Sequence, residues 1–441
     1  MFSNDVGSFP FSNLDLFSLD GFSLEDIRQK IFKELGLKDS KNNEEKAVVK
    51  LNRIYKESVS YLERVLYRKI PNGLNNKNWI STNEFLEHLE SHLKRDTSGL
   101  YSLMFCGIIK VMLVEVGLDE NPAVSQLDTN MVDLMAKFTS IPGMQVNKKS
   151  RKNDYQSYTL DDTYEGKLED RPKGSDSIRT KLIYNRPYNT LEKFKDLEAM
   201  RLTLDPSGGE TGYVHTIRKI RDNLYGKNIK INFEVKGGIL SPKAIQELEK
   251  VFIMVTIKKT KGGASLSYED AKFVGGKVNI SKPGKEKKYI SPEIQFVLPN
   301  NKNESGFSSH KVYDLKKIIS ANARLFGALT IGNIQYVLEH YKTEFDPREL
   351  LNHLLYPQGH GEKPFLLLIK TKSERTGRER VYFTTSDIYN EGKNTMSDIY
   401  NFPKPKNLEG SASEDIQHIV HNAVDAVMRK KTNILSSPST L

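Results

Sequence analysis

The sequence predicts an α+β protein: a helical N-terminal domain, then a basic mixed α/β region, with flexible termini. Residues 44–70 place apolar side chains on one face at helical spacing, and Pro71-Asn72-Gly73 ends that pattern. Farther along, a strand-like run at 229–235 is followed by a helix from Pro242, and paired glycines mark the turns. Helices followed by short, glycine-punctuated elements are typical of the α+β class.

The first third of the chain carries further helix signals. Ser81 and Glu84 form a capping box that starts a helix. An apolar helix is predicted at 101–117, but Lys110 and Glu115 interrupt its apolar run, which is too short to span a bilayer. The N-terminus has no basic stretch followed by an apolar one, so we expect neither a secretory signal nor membrane insertion.

Changes in composition divide the chain into predicted segments. They are a disordered acidic Phe-rich tail (1–26), a helical domain (27–140), a linker or long loop (141–190), a basic α+β domain (191–300), a mixed helical and β region (301–405), and an amphipathic helix with a disordered tail (406–441). Within them we expect a helix near 190–200, helices over 311–356, and a β-hairpin made of 365–371 and 379–385.

The acidic tail leaves two interpretations open. Residues 1–26 contain five acidic residues and no Lys or Arg, and phenylalanines recur among Ser, Asn and Gly. Such a segment is either simply disordered or a docking peptide whose Phe side chains enter pockets of a protein partner. If docking is its main role, the chain is a structural or adaptor protein.

Positive charge is concentrated in one part of the chain. Between Arg218 and Lys288 there are 17 Lys and Arg against seven Asp and Glu, a surplus of +10 that equals the net charge of all 441 residues. Because a local surplus of this size favours polyanionic partners, we expect nucleic-acid binding. The candidate phosphate-binding residues are Arg218, Lys219, Arg221, Lys258, Lys259, Lys261, Lys282, Lys285, Lys287 and Lys288.

Aromatic residues are interleaved with these cations. They are Tyr225, Phe233, Phe252, Tyr268, Phe273, Tyr289 and Phe296. Exposed rings can stack on unpaired bases, which favours single-stranded nucleic acid. The competing interpretation is that Phe233, Phe252 and Phe296 are core residues on strands and that the lysines are ordinary solvated side chains.

A catalytic alternative rests on Glu234-Val235-Lys236, with Asp222 upstream. Two acids that hold a divalent metal beside a lysine could activate water for phosphodiester cleavage. The order strand, helix with Gln246, strand resembles the core of PD-(D/E)XK nucleases. That resemblance implies Asp222, Glu234 and Lys236 as catalytic residues with magnesium as cofactor, although Asp222 follows Arg221 where the family has proline.

The layout of the whole chain resembles the coat (nucleocapsid) proteins of plant negative-strand RNA viruses such as ophioviruses. The shared features are size, basic charge, flexible ends, many Lys and Asn residues and a single cysteine, Cys106. The resemblance implies a non-enzymatic protein that packages RNA as a homo-oligomer, located in the cytoplasm or the virion. A viral movement protein would share many of these features. We expect no cofactor and no metal site. The single cysteine excludes both a Cys-rich zinc site and an intramolecular disulfide.

Overall fold

The structure is a computed structural model. It describes residues 44–94, 100–119, 122–147, 156–184, 194, 196–204, 206–227, 231–236, 240–250, 253–258, 271–274, 276–297, 310–326, 329–343, 345–355, 365–372 and 379–386. The acidic tail 1–26 and the C-terminal segment 406–441 lie outside the described residues.

The described residues confirm that the protein combines α and β structure. The helices are α1 (Glu44–Arg64), α2 (Asn72–Asn75), α3 (Thr82–Lys94), α4 (Leu100–Asp119), α5 (Pro122–Ser125), α6 (Leu127–Thr139), α7 (Ser175–Tyr184), α8 (Gly209–Leu224), α9 (Pro242–Glu249), α10 (His310–Phe326), α11 (Ile331–Glu339) and α12 (Pro347–Leu355). Among them, none is both long enough and apolar enough to cross a membrane.

Strands occur mainly in the middle of the chain. They are β1 (Met144–Asn147), β2 (Gln156–Leu160), β3 (Tyr164–Pro172), β4 (Glu198–Leu204), β5 (Ile231–Lys236), β6 (Ile253–Lys258), β7 (Ala271–Val274), β8 (Val278–Asn279), β9 (Tyr289–Ile290), β10 (Glu293–Val297), β11 (Leu329–Thr330), β12 (Leu366–Lys372) and β13 (Glu379–Thr385).

The chain divides into two compact units. Unit 1 comprises Met1–Glu120, Arg179–Tyr184 and Asp314–Leu441, and unit 2 comprises Asn121–Ile178 and Asn185–Tyr313. Unit 1 therefore contains the early helices and a late part of the chain, and unit 2 contains the basic segment in the middle of the chain.

Trp79 lies at the centre of an aromatic cluster in unit 1. Its ring meets Tyr55 edge-on at 5.6 Å and Phe85 at 5.1 Å, measured between ring centroids. Its backbone is held by Asn52, whose side-chain amide accepts the Trp79 N–H and donates to the Trp79 carbonyl, both at 2.8 Å. Edge-to-face packing and a paired backbone together join α1 to the segment that precedes α3.

Of the two hydrogen bonds of the capping box predicted at Ser81, one is present. The Glu84 N–H donates to Ser81 Oγ at 3.0 Å, and α3 begins at Thr82, directly after Ser81. The Glu84 carboxylate accepts the N–H of Ile80 instead of that of Ser81. The Thr82 N–H is bound by the Glu44 carboxylate at 2.8 Å, so an acid from α1 completes the cap.

The ring of Phe326 is packed closely on two sides within unit 1. A Cβ atom added to Gly107 of α4 would overlap this ring. The guanidinium of Arg68 lies 4.2 Å from the ring centroid, and burial lowers the pKa of Arg68 to about 9. Position 107 of α4 therefore requires glycine, because any side chain there would collide with the ring of Phe326.

The three-stranded sheet of unit 1 has the order β11-β13-β12 and is antiparallel. Leu366 pairs with Thr385 and Lys372 pairs with Glu379, so β12 and β13 form the hairpin that the sequence predicted. Helices α10, α11 and α12 occupy the stretch 311–356 that was predicted to be helical.

Unit 2 is built on an eight-stranded sheet with the order β1-β2-β3-β4-β10-β7-β5-β6. Strands β1 to β4 form an antiparallel meander, β10 is parallel to β4, and β7 is antiparallel to both β10 and β5. The edge strand β6 is parallel to β5, and α9 connects them. This confirms the strand, helix and strand predicted after residue 229.

The core of unit 2 lies against one face of this sheet. Phe233, Phe273 and Phe296 are fully buried there, with ring centroids 5.2 to 6.3 Å apart. Helices α6, α8 and α9 add buried side chains to the same cluster. The competing interpretation of Phe233 and Phe296 as strand core residues is therefore the correct one.

Two stretches differ from the sequence prediction. The expected linker at 141–190 contains β1, β2, β3 and α7, and part of the expected helix at 190–200 belongs to β4. Tyr158 and Leu160 alternate with polar residues on β2 and are buried in the sheet. The stretch is poor in aliphatic residues because tyrosine and leucine at alternate positions suffice to cover its inner face.

The close approach at Gly107 yields a stability prediction. Gly107→Ala should lower the free energy of unfolding by about 1–3 kcal/mol, because the added methyl group overpacks against Phe326. Chemical denaturation of the purified protein measures this. Gly73→Ala is the matched control, since its new Cβ would meet nothing closer than Tyr101 at 3.4 Å. Equal stability of the two variants would contradict the packing described here.

Candidate nucleic-acid interface

A small β-hairpin in unit 2 carries the densest described group of lysines. Strands Val278–Asn279 and Tyr289–Ile290 pair antiparallel, and the Ile280 N–H donates to the Lys288 carbonyl at 2.9 Å. We call residues 278–290 the basic hairpin. Its backbone is closed by cross-strand bonds, so the residues between 280 and 288 form its tip.

The tip has a defined turn. Gly284 has φ of 80°, which favours glycine, and the Lys285 N–H donates to the Lys282 carbonyl at 3.1 Å. The Ser281 hydroxyl accepts the N–H of Lys288 across the hairpin. These bonds fix the backbone from which the lysine side chains project.

Helix α6 anchors the hairpin. Lys137 donates to the carbonyl of Asn279, and burial lowers the pKa of Lys137. The ammonium of Lys282 lies 3.6 Å from the Asp133 carboxylate on the same helix. Both the base of the hairpin, through Asn279, and Lys282 at its tip are thus in contact with α6.

The lysines of the tip are accessible. Lys282, Lys285 and Lys287 are exposed and Lys288 is half-buried, whereas Glu286 is the one acid among residues 281–288. Lys282 keeps 69% of its side-chain surface despite its contact with α6. The tip therefore presents a local charge that a phosphate backbone would neutralise.

One aromatic side chain accompanies these lysines. Tyr289 is 51% exposed at the base of the hairpin. The other interleaved aromatic residues that the structure describes are buried: Tyr225, Phe233, Phe273 and Phe296. The side chain of Phe252 and all of Tyr268 lie outside the described part. Among the described aromatic residues of this set, Tyr289 is therefore the one that is accessible for stacking on a base.

Arg221 is not the exposed cation that the charge pattern predicted. It is 2% exposed, forms an ion pair with Asp222, and donates to the Lys227 carbonyl at 3.2 Å. It lies near the end of α8, and its guanidinium ties the helix to the carbonyl of Lys227 in the segment that follows. Arg221 is a structural residue in this arrangement.

The other two cations predicted on α8 also have acidic partners. Lys219 forms an ion pair with Asp161, and Arg218 lies 3.6 Å from the Glu247 carboxylate of α9. A phosphate would have to displace these carboxylates to reach the cations. Charge counting along the sequence could not detect this, because Asp161 is 58 residues from Lys219.

The second predicted lysine cluster is described only at its first residue. Lys258 ends β6, and its backbone pairs in register with Lys236 at the end of β5. Lys259 and Lys261 lie outside the described residues. Their role in binding stays a prediction.

The residues of the nuclease alternative are not brought together. Phe233 and Val235 face the core that contains α8 and α9, so Glu234 between them faces the opposite side of the sheet. Asp222 belongs to α8, on the core side, and pairs with Arg221. Gln246 is exposed on α9. The strand order resembles the nuclease core, but the two acids lie on opposite faces of the sheet.

Glu234 belongs instead to a polar face. Its strand neighbour in register is Lys272, which forms a 2.8 Å ion pair with Glu293. From Glu293 the bonds continue through Gln295 at 2.7 Å to Arg201 at 3.1 Å. Opposite charges therefore alternate across these neighbouring strands.

A cluster that the sequence did not reveal surrounds Asp161. His215 Nε2 lies 2.8 Å from one Asp161 oxygen, and Lys219 binds the other. Hydrogen bonds from Lys219 first, and then from His215, hold the pKa of Asp161 below its usual range. Asp161 and Asp162 both have φ of 54° in the turn between β2 and β3. The cluster ties this turn to α8.

Comparison with protein-family models, curated protein sequences and solved structures finds no match to this chain. Within the described ranges, no group of three or more His, Cys, Asp or Glu side chains is arranged to hold a metal ion.

The lowered pKa of Asp161 yields a pH prediction. Its folded pKa is below the unfolded value, so its contribution is present above the unfolded pKa, about 3.9, and is lost as pH falls through the folded pKa. Asp161→Asn should therefore lower the free energy of unfolding at neutral pH by about 0.2–1 kcal/mol, the range of exposed ion pairs. This deficit should shrink as pH falls below about 4, because the unfolded chain takes up a proton there while the folded carboxylate does so only at a lower pH.

Urea denaturation at neutral and acid pH measures both effects. Asp162→Asn is the matched control, because Asp162 has the same backbone conformation and its side chain accepts a hydrogen bond from Gln145 at 3.1 Å. An equal, pH-independent loss in both variants would mean that the turn backbone, and not the ion pairs of Asp161, is responsible.

Proposed function

We propose that this protein binds single-stranded RNA without base specificity, through the basic hairpin, and packages it as associating copies of one chain. The observation that carries the proposal is the hairpin tip. Lys282, Lys285 and Lys287 are exposed there, Lys282 beside Asp133, and the hairpin is anchored at its base by Lys137. Cations elsewhere in the basic segment, namely Arg218, Lys219 and Arg221, are paired with carboxylates.

The chemistry of the hairpin favours backbone recognition. Lysine is a flexible point charge that contacts phosphate oxygens, and such contacts carry no base information. Tyr289 beside the lysines could stack on an unpaired base, which a duplex does not offer. Together these side chains suit a single strand of any sequence.

Packaging adds self-association to binding. This part of the proposal rests on the layout that the chain shares with nucleocapsid proteins: basic charge, comparable size and predicted flexible ends. Flexible ends can dock on neighbouring subunits, so a protein partner of the acidic tail could be a second copy. Association along RNA predicts discrete complexes of increasing size as protein is added.

The proposal includes binding without catalysis. The placement of Asp222 and Glu234 on opposite sides of the sheet supports it, since a two-acid metal site needs both carboxylates on one ion. Magnesium should therefore leave bound RNA intact. Shortened RNA that requires magnesium and disappears in Glu234→Gln would favour the nuclease alternative.

Charge reversal in the hairpin tests the binding site. Lys285→Glu combined with Lys287→Glu should weaken RNA binding and flatten its salt dependence, by about 0.7 in the slope of log K against log salt for each lost phosphate contact. Titration of labelled single-stranded RNA at several salt concentrations, by mobility shift, measures both quantities. Stepwise bands with wild-type protein would support association along the strand.

The matched control is Lys46→Glu combined with Lys227→Glu. These two lysines are also exposed and give the same change in net charge, but they lie on α1 and after α8. They should retain most of the affinity and the salt slope. If both double variants lose affinity equally, binding depends on net charge and not on the hairpin. If wild-type protein does not bind at low salt, the proposal is wrong.

A further inference from the structure

A cleft of about 570 Å³ lies in unit 1, remote in sequence from the basic segment. It is formed by the second half of α1 and the residues after it, together with the end of α11. Its lining residues are Lys56, Val59, Ser60, Glu63, Arg64, Tyr67, Asn75, Tyr336 and His340. This volume is in the range of small-molecule sites, which is about 300–1,000 Å³.

Three aromatic rings form a corner of the cleft. Tyr67 and His340 are stacked, with centroids 3.8 Å apart and planes 22° apart. Tyr336 meets His340 edge-on, at 5.0 Å and 80°. His340 Nδ1 lies 2.9 Å from the Tyr336 carbonyl, which fixes the orientation of its ring. Tyr336 remains 47% exposed.

The backbone at Tyr67 is in an unfavourable conformation for its side chain. Its φ is 51°, in the left-handed region where glycine is usual after a helix. The chain turns here because the Arg68 N–H returns to the Leu62 carbonyl of α1 at 2.8 Å. A bulky ring at such a position costs free energy, and such strain is concentrated at functional sites. At this position the ring of Tyr67 stacks on His340, a contact that glycine could not make.

The polar lining of the cleft is complementary to a nucleotide. Lys56 and Arg64 are exposed on α1, two helical turns apart on one side of the cleft. Glu63, the one acid of the lining, accepts a hydrogen bond from Asn75 at 3.0 Å. Cations beside flat rings are the arrangement by which proteins hold a base and its phosphate.

We propose that this cleft binds one base of a single-stranded RNA, stacked on the corner formed by Tyr67, His340 and Tyr336, with Lys56 and Arg64 toward its phosphates. The inference rests on the proposed RNA binding and adds a second contact of a different kind. The basic hairpin offers mainly lysines for phosphates with the single ring of Tyr289, whereas the cleft offers three rings to one base. Sequence reasoning missed the site because Tyr67 and Tyr336 are far apart in the chain.

The test compares oligouridine with an abasic oligonucleotide of equal length, at one salt concentration. Wild-type protein should bind oligouridine more tightly. Tyr336→Ala should lose about tenfold in affinity for oligouridine, the size of one lost stacking contact, and nothing for the abasic strand. Tyr336→Phe keeps the ring and should bind both strands as wild type does.

Tyr67→Gly is a second variant that the fold should tolerate, because glycine adopts positive φ without strain. It should show the same selective loss for oligouridine, and thermal unfolding checks that it is folded. Tyr289→Ala in the basic hairpin distinguishes the two surfaces. If the preference for oligouridine survives in both cleft variants and disappears in Tyr289→Ala, the base is held at the hairpin and the inference is wrong.

The remaining outcomes separate the two proposals. Equal affinity of wild-type protein for the two strands overturns the cleft inference and leaves phosphate binding by the hairpin intact. Absence of binding to either strand overturns the proposed function, and the cleft inference with it. Selective loss in Tyr336→Ala and Tyr67→Gly, with normal binding by the Lys46 and Lys227 control variant, supports both.

Discussion

The packing of Phe233, Phe273 and Phe296 against one another determines what unit 2 can present to a ligand. These rings come from three neighbouring strands and lie on one face of the sheet, between the strands and the helices α6, α8 and α9. Because side chains alternate along a strand, burying Phe233 places Glu234 on the other face. The same constraint keeps Asp222 on the helix side. Hydrophobic packing therefore keeps apart the two acids that a metal-dependent nuclease would need.

Packing also decides which positive charges remain accessible. Several cations on helices and strands of the unit 2 core are neutralised by a nearby carboxylate. Lys219 pairs with Asp161 of the turn before β3, Lys272 pairs with Glu293 of β10, and Arg221 pairs with Asp222 of its own helix. In the hairpin tip, Lys282, Lys285 and Lys287 remain exposed. The net charge of the segment is therefore a poor guide to which of its cations are accessible.

The sequence predicted most regular elements because their signals are local. Helical spacing identified α1, the capping box located the start of α3, and two strand-like runs identified β12 and β13. Prediction failed where the signal depended on distant partners. The turn at Asp161 and Asp162 carries no glycine, and it is held by α8, so a meander was mistaken for a linker.

The candidate sites were predictable to different degrees for the same reason. The lysines of the basic hairpin are close together in sequence and could be identified by counting. Their anchor at Lys137 could not, since it is 142 residues from Asn279. The aromatic corner gave no local signal at all, because Tyr67 and His340 meet only after unit 1 has folded.

A protein that packages RNA of any sequence needs affinity without base recognition, and two kinds of contact satisfy that need differently. Lysine–phosphate contacts gain free energy from counterion release and weaken steeply as salt rises. Stacking on a ring depends little on salt and accepts every base, since each base has an aromatic face. A chain with only the hairpin would release RNA at high salt, whereas a chain that also held a base in the cleft would retain part of its affinity. The hairpin and the cleft therefore differ in how steeply salt weakens their contribution to the affinity for RNA.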